Sequence, residues 1–219
     1  MSPLALSFQV ATLATLLAAL LGLSVASLLA TRRFPGRDVL DVLFTAPLVM
    51  PPTVLGYYVL VALGQRSLLG HAFEALTGTP IVFTKVGAVL AAAIGALPIV
   101  VKSGRAALED VDPTLVLAAR TLGATRLRAL LTIQLPLAAR GVVAALMVAF
   151  ARALGDFGVT LMVAGNIPGE TRTEALAIYD ALQAHRDEDA KAGVLVLTFS
   201  VVALLYVVGK LTAKPREVT

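Results

Sequence analysis

A chain of 219 residues that is 58% hydrophobic and 15% charged, with mean hydropathy +0.88, is too apolar for an ordinary soluble domain and reads as an integral membrane protein. Cysteine is absent, which excludes a disulfide framework and any thiolate metal site, and His71 and His185 carry no metal-binding spacing. The net charge of +4 is spread along the ends of apolar runs instead of gathering on one face, which argues for membrane orientation and against nucleic acid as a partner.

Residues 1–31 are uncharged, long enough for a first helix ending before Arg32 and Arg33. No positive region precedes this stretch, and it is too long for a signal-peptide core, so it is read as a retained anchor even though Ser24-Val25-Ala26 mimics a cleavage site. Further charge-poor runs at about 42–64, 86–101, 137–164 and 192–209 bring the expected spans to five. The third run is only 16 residues between Lys85 and Lys102, about 24 Å at ~1.5 Å per residue. Either both lysines snorkel or a tilted helix continues past Lys102. Within one membrane domain, 1–219, the polar connection at about 108–136 separates spans 3 and 4.

Charge bias sets the direction of the chain. Arg32, Arg33, Arg37, Lys102, Arg105, Arg120, Arg126, Arg128, Arg140, Lys210, Lys214 and Arg216 fall on one side, and only Arg66, Lys85, Arg172, Arg186 and Lys191 on the other. The first side is therefore expected to be cytoplasmic, with the N-terminus outside and the C-terminus inside.

The 108–136 connection has strong local signals. Asp112-Pro113 is a helix start, with a carboxylate able to cap free amides and proline at the first helical position. Gly123 is a stop, after which a second short helix is expected from Thr125, carrying Leu127, Leu130 and Leu131, with Pro136 opening span 4. Two short helices meeting at a glycine make a rigid elbow able to transmit a push; a helical hairpin resting on anionic lipid is the alternative.

The string Ala118-Ala119-Arg120-Thr121-Leu122-Gly123, followed after nine residues by Ile133-Gln134-Leu135-Pro136, resembles the ATPase-docking loop of ATP-binding-cassette importer permeases. Leu117 stands where that family usually has Glu. The resemblance extends over nearly the whole chain and is closest to permeases for tetrahedral oxyanions, molybdate in particular. It is carried by Pro47-Leu48-Val49-Met50-Pro51-Pro52-Thr53-Val54-Leu55-Gly56-Tyr57 in span 2, by Phe150-Ala151-Arg152-Ala153-Leu154-Gly155-Asp156-Phe157-Gly158 in span 4, and by Gly165-Asn166-Ile167-Pro168-Gly169-Glu170-Thr171-Arg172-Thr173 after it. Sulfate permeases are similar through the first two segments, and tungstate is inseparable from molybdate.

The resemblance implies an all-α membrane fold with a cytoplasmic two-helix coupling loop, in which Ala118, Ala119, Arg120, Gly123, Ala124, Thr125, Arg126 and Leu127 meet the ATPase. It also implies a second copy of the chain, two cytoplasmic ATP-binding subunits carrying ATP and Mg, an extracytoplasmic oxyanion-binding protein that holds most of the selectivity, and residence in a prokaryotic inner membrane. No cofactor is expected in this chain, which has no GxxxxGK[ST] phosphate loop and must take its energy from a partner.

Pathway or gate candidates are Pro47, Pro51, Pro52, Arg152, Asp156 and Asn166. The three prolines free carbonyls that must face protein or a watery cavity, so span 2 is a pathway wall or a kinked helix packed on its neighbours. Arg152 and Asp156, four apart, share a helix face and read as a structural or gating ion pair in preference to an oxyanion site. No histidine, cysteine or second carboxylate completes a catalytic site around them, which weighs against a membrane enzyme. Paired broken helices, the mark of many secondary transporters, are not evident. Leu176, Tyr179 and Leu182 form a helical stripe suited to an outer gate or to an interfacial helix, and Gly70–Leu76 reads as a surface helix.

Overall fold

The computed structural model describes residues 1–32 and 34–212, so Arg33, Lys214 and Arg216 of the charge count lie outside the described residues. All regular structure among the described residues is helical. Helix α1 (Pro3–Thr31) starts at Ser2, whose hydroxyl accepts from the Ala5 amide, and has proline in its first turn. It packs most extensively on α5 (Lys85–Glu109). Ala11, Ala14, Ala18, Gly22 and Ala26 of α1 are all buried, and their spacing of three and four places them on one face. Small residues let the backbones approach: a Cβ on Gly22 would lie 2.8 Å from Val100 Cγ1. Helix α1 is therefore a member of the core, not an appendage.

Among the described residues three helices are long and apolar enough to cross a membrane: Pro3–Thr31, Lys85–Glu109 and the Asp187–Val207 stretch of α12 (Asp187–Thr212). Two bent pairs raise the number to five if each counts as one span. The straight span expected over 42–64 is instead broken: α2 (Arg37–Val49) and α3 (Pro52–Leu63) meet at 118°. Of the two readings of span 3, the structure takes the one in which the helix continues past Lys102, to Glu109. The charges of its last turns stay helical because they are paired. Asp41 takes Lys102 at 3.0 Å and Arg105 at 3.3 Å; Glu109 takes Arg105 at 2.8 Å and Arg37 at 3.3 Å. Arg37 also donates to the Leu29 carbonyl, so this ionic lattice ties together the ends of α1, α2 and α5.

The connection after α5 contains α6 (Pro113–Thr121), α7 (Arg126–Ala129), a π-helical turn (Leu130–Gln134) and α8 (Leu135–Leu137). Span 4 then begins at α9 (Ala139–Leu154), not at Pro136: the chain from Arg126 to Leu137 is continuous and turns by 77° at Ala138. Span 4 is also interrupted. Gly155, Asp156 and Phe157 separate α9 from α10 (Gly158–Ala164). Broken helices are thus present in spans 2 and 4, where the sequence revealed none. The expected surface helix is α4 (Leu68–Thr77), and α11 (Glu174–Gln183) lies against α12 and the start of α1, where the Glu174 amide donates to Ser7 Oγ at 2.7 Å.

Candidate functional site

Two parts of the fold combine unusual backbone with exposed or ionised side chains. The first is the elbow at the end of α5. Asp112 Oδ1 accepts from the Thr114 amide at 2.8 Å, and that hydrogen bond holds the carboxyl below its usual range. At the far end, Ala124 N–H donates to Ala119 O and Gly123 N–H to Arg120 O, with Gly123 left-handed at φ 91°. These are the two bonds of a Schellman cap, and the missing Cβ is what makes that φ easy. Thr125 then caps the second arm by accepting from the Arg128 amide. A Gln134 Nε2 hydrogen bond to Leu108 O, 2.9 Å long and buried, fastens that arm to the end of α5.

All eight expected docking residues come together here. Ala118, Arg120, Gly123, Thr125, Arg126 and Leu127 are exposed, while Ala119 and Ala124 are half-buried. Leu122 at the apex is 89% exposed, and Leu115, Leu117, Leu127 and Leu131 add to an apolar surface that a free-standing elbow would not present. Leu122 is not among the expected docking residues, although an apolar residue directly before the capping glycine is a signal for it in the sequence. Leu117 lines a groove of about 350 Å³ with Arg120, Arg126 and Gln134. With leucine there, neither arginine has an ion-pair partner among the described residues.

The second part is the joint where the breaks in spans 2 and 4 meet. Pro51 caps α3 and Pro52 is its first residue, and a Cβ on Gly158 would fall 2.6 Å from Pro52 Cβ. One turn on, a Cβ on Gly56 would fall 2.9 Å from Met162. Glycines on both helices thus let α3 and α10 close on each other, around a shared cluster of Leu55, Val59, Val82, Ala91, Val159 and Val163.

Arg152 and Asp156 sit at the same joint. Arg152 Nη1 donates to Asp156 Oδ1 at 2.8 Å, while Asp156 Oδ2 accepts from the Thr160 amide at 3.0 Å and the Thr160 hydroxyl at 2.7 Å. The carboxylate side chain is 1% exposed and the arginine 35%. Asp156 therefore bridges the break: it holds the last turn of α9 through Arg152 and the first turn of α10 through Thr160. Thr160 was not legible as a partner because its role depends on the break.

Of the other candidates, Pro47 is within α2 and half-buried, and Pro51 and Pro52 are exposed in the single chain. Asn166 is not at the joint. Its Oδ1 accepts from Arg172 Nε at 2.8 Å, in a network where Asp180 takes Arg172 and Arg186. The expected stripe of α11 splits: Leu176 is buried, Tyr179 lies tilted at 55° to Phe157 with ring centroids 5.0 Å apart, and Leu182 is exposed.

Residues 4–213 match the model of the binding-protein-dependent transport system inner membrane component. The chain belongs to that family. Its relatives are transport permease subunits. The molybdenum transport system permease protein ModB of Escherichia coli K12 is 40% identical over 95% of this chain and 91% of its own length. The putative molybdenum transport system permease protein YvgM of Bacillus subtilis is 38% identical over 96% and 93%. Among solved structures, an inward-facing form of the MetNI methionine ABC transporter superposes with TM-score 0.74 at 16% identity, covering 94% of this chain and 91% of that one. The family membership and the superposition agree with the multi-pass, all-α inner-membrane architecture described above.

Proposed function

We propose that this chain is the permease subunit of an ATP-driven importer that moves molybdate across the inner membrane by alternating access. The observation that carries the cargo is 40% identity, over more than nine-tenths of both chains, to a permease named for molybdenum transport. Tungstate, nearly equal in size and charge, is the ion hardest to separate from it, and sulfate is the alternative within the same family.

The whole chain acts as one membrane domain, and two copies of it enclose the pathway, since five spans are too few to surround one. The exposed apolar residues of α2 and α3, including Val42, Leu43, Tyr57 and Tyr58, suit lipid or the second copy. Two cytoplasmic ATPase subunits, which hold ATP and Mg, dock on the elbow through its exposed leucines and Arg120 and Arg126. An extracytoplasmic binding protein delivers the anion. The chain itself supplies no hydrolytic group; it couples movement to passage.

The charge bias supports an external N-terminus and an internal C-terminus. The fold is consistent with this orientation, since Met1 and Lys85 approach each other at the end of the bundle opposite the elbow. Movement of the elbow passes to α5 through Gln134 and to α9 through the turn at Ala138. The α3–α10 unit, hinged at Met50–Pro51 and at Gly155–Phe157, then opens or closes as one body. Competition among molybdate, tungstate and sulfate for uptake by the reconstituted complex tests the cargo. Molybdate and tungstate are expected to compete and sulfate to compete weakly; equal inhibition by sulfate defeats the molybdate assignment.

A further inference from the structure

The two members of the mid-membrane ion pair are unequally satisfied. Asp156 receives three hydrogen bonds, from Arg152 Nη1, the Thr160 amide and the Thr160 hydroxyl. A guanidinium has five N–H donors, and among the described residues Arg152 uses one. Asp156 Oδ1 takes that one donor and Oδ2 is committed to the start of α10, so the remaining donors of Arg152 have no bond to Asp156.

The position of the arginine limits what those donors meet. Its head lies over Gly95, where an added Cβ would be 3.5 Å from Nη2. Gly95 is near the middle of α5, far from either end of a 25-residue helix, so the guanidinium is at mid-membrane depth. Ala91, Gly95, Pro98 and Lys102 recur at spacings of four and three and therefore share one face of α5. Ala91 on that face packs with α3 and α10, and Lys102 pairs with Asp41 of α2. Arg152 therefore opens toward the side of the bundle where the broken spans lie. A third of its side chain is uncovered there, at 35% exposure. A charge at this depth is costly against lipid and is expected to face protein or a watery cavity.

We propose that Arg152 is an anion-contacting residue of the pathway, whose spare N–H groups take a tetrahedral oxyanion in transit while Asp156 orients the guanidinium and limits how tightly the anion is held. This rests on the oxyanion-importer function and adds to it a contact residue. Planar, permanently charged arginine suits two oxygens of such an anion, and the neighbouring carboxylate prevents a trap. Gly95 is part of the arrangement, because a large side chain there would occupy the space over which the guanidinium lies.

The test uses proteoliposomes holding this chain with its ATPase subunits, with loaded binding protein outside and radiolabelled molybdate or sulfate as the probe. Arg152→Gln is expected to lower uptake at least about tenfold, the loss of a charge-assisted hydrogen bond, while ATP hydrolysis stimulated by the binding protein persists. The double variant Arg152→Gln with Asp156→Asn, a neutral pair of similar shape, is expected not to recover. Recovery of the double variant to within about twofold of the unsubstituted complex would mean that the two residues serve only each other, and would overturn the proposal. Arg152→Lys keeps the charge but not the fork and is expected to raise the KM for the anion several-fold at unchanged ATPase rate. An unchanged KM overturns the proposal even if the glutamine variant fails to assemble. The unsubstituted complex reports separately on the cargo: if it carries sulfate in place of molybdate, the molybdate assignment fails and the Arg152 comparison is read on sulfate. If it carries neither anion, the oxyanion function and the role of Arg152 fail together.

Discussion

The elbow and the mid-membrane joint are both places where a helix stops and restarts, yet they are built from opposite materials. The elbow stops helices with local backbone chemistry: Asp112 and Thr125 cap the starts and Gly123 caps the end. Its outer surface is exposed, and one buried side-chain hydrogen bond from Gln134 joins it to the bundle. The joint adds tertiary packing to its local prolines and to a carboxylate bonded four residues either way: Pro52 lies against Gly158 and Gly56 against Met162, across helices distant in sequence. A part that receives a push needs stiffness independent of its surroundings. A part that opens needs its stiffness to come from contacts that can be exchanged.

Substitutions that separate these two kinds of stop should have graded effects. The largest is expected from Gly123→Pro, because proline cannot take φ 91° and removes the amide that bonds to Arg120 O. ATP-driven uptake should fall to background while the protein remains in the membrane at normal level, measured by flux and by immunodetection; normal uptake would remove the elbow from the mechanism. A bulky residue at Ala119 is expected to act in the same direction.

Next is Gly158→Ala. Its Cβ would lie 2.6 Å from Pro52 Cβ, so α3 and α10 must part, at an overpacking cost of about 1–3 kcal/mol. A lowered thermal midpoint of the purified complex, with uptake impaired more than ATPase activity, is the expected result. Unchanged stability and uptake would mean that α3 and α10 do not move as a unit.

A smaller effect is expected from Gln134→Met, which keeps the volume and removes the donor to Leu108 O, at about 1 kcal/mol. ATPase activity should persist while its coupling to uptake weakens, read as more ATP hydrolysed per anion moved. The smallest concerns Asp112. Its carboxyl is held below the ordinary range by the Thr114 amide, so the cap is present at neutral pH and lost as the pH falls through the depressed folded-state value. Hydrogen exchange at the Thr114 amide should accelerate there relative to a neighbouring amide in the same arm, and Asp112→Asn should abolish that pH dependence.

The same contrast explains what could be read from the chain alone. Asp112-Pro113, Gly123 and Thr125 act on atoms within four residues of themselves, so the elbow was legible almost to the residue. The break in span 2 is visible only as Pro51-Pro52: the prolines mark a stop but not its 118° angle, nor the packing of α3 on α10, which is distant in sequence. The break in span 4 left no hydropathy signal, since Gly155–Phe157 interrupts an apolar run with a single charge. Arg152 and Asp156 were legible as a pair from their spacing. That Thr160 completes the carboxylate depends on the break itself, and that Gly95 makes room for the guanidinium requires knowing which face of α5 meets α9. The end of span 3 stays open in the sequence because Lys102 and Arg105 look like a water-facing end, whereas Asp41 and Glu109 pair with them along a helix that continues to Glu109.

Molybdate flux into vesicles bearing this chain, with and without the ATPase subunits and ATP, tests the central claim most directly. Uptake is expected only when the ATPase subunits, ATP and loaded binding protein are all present; molybdate passing down its gradient through the chain alone would contradict an importer driven through the elbow.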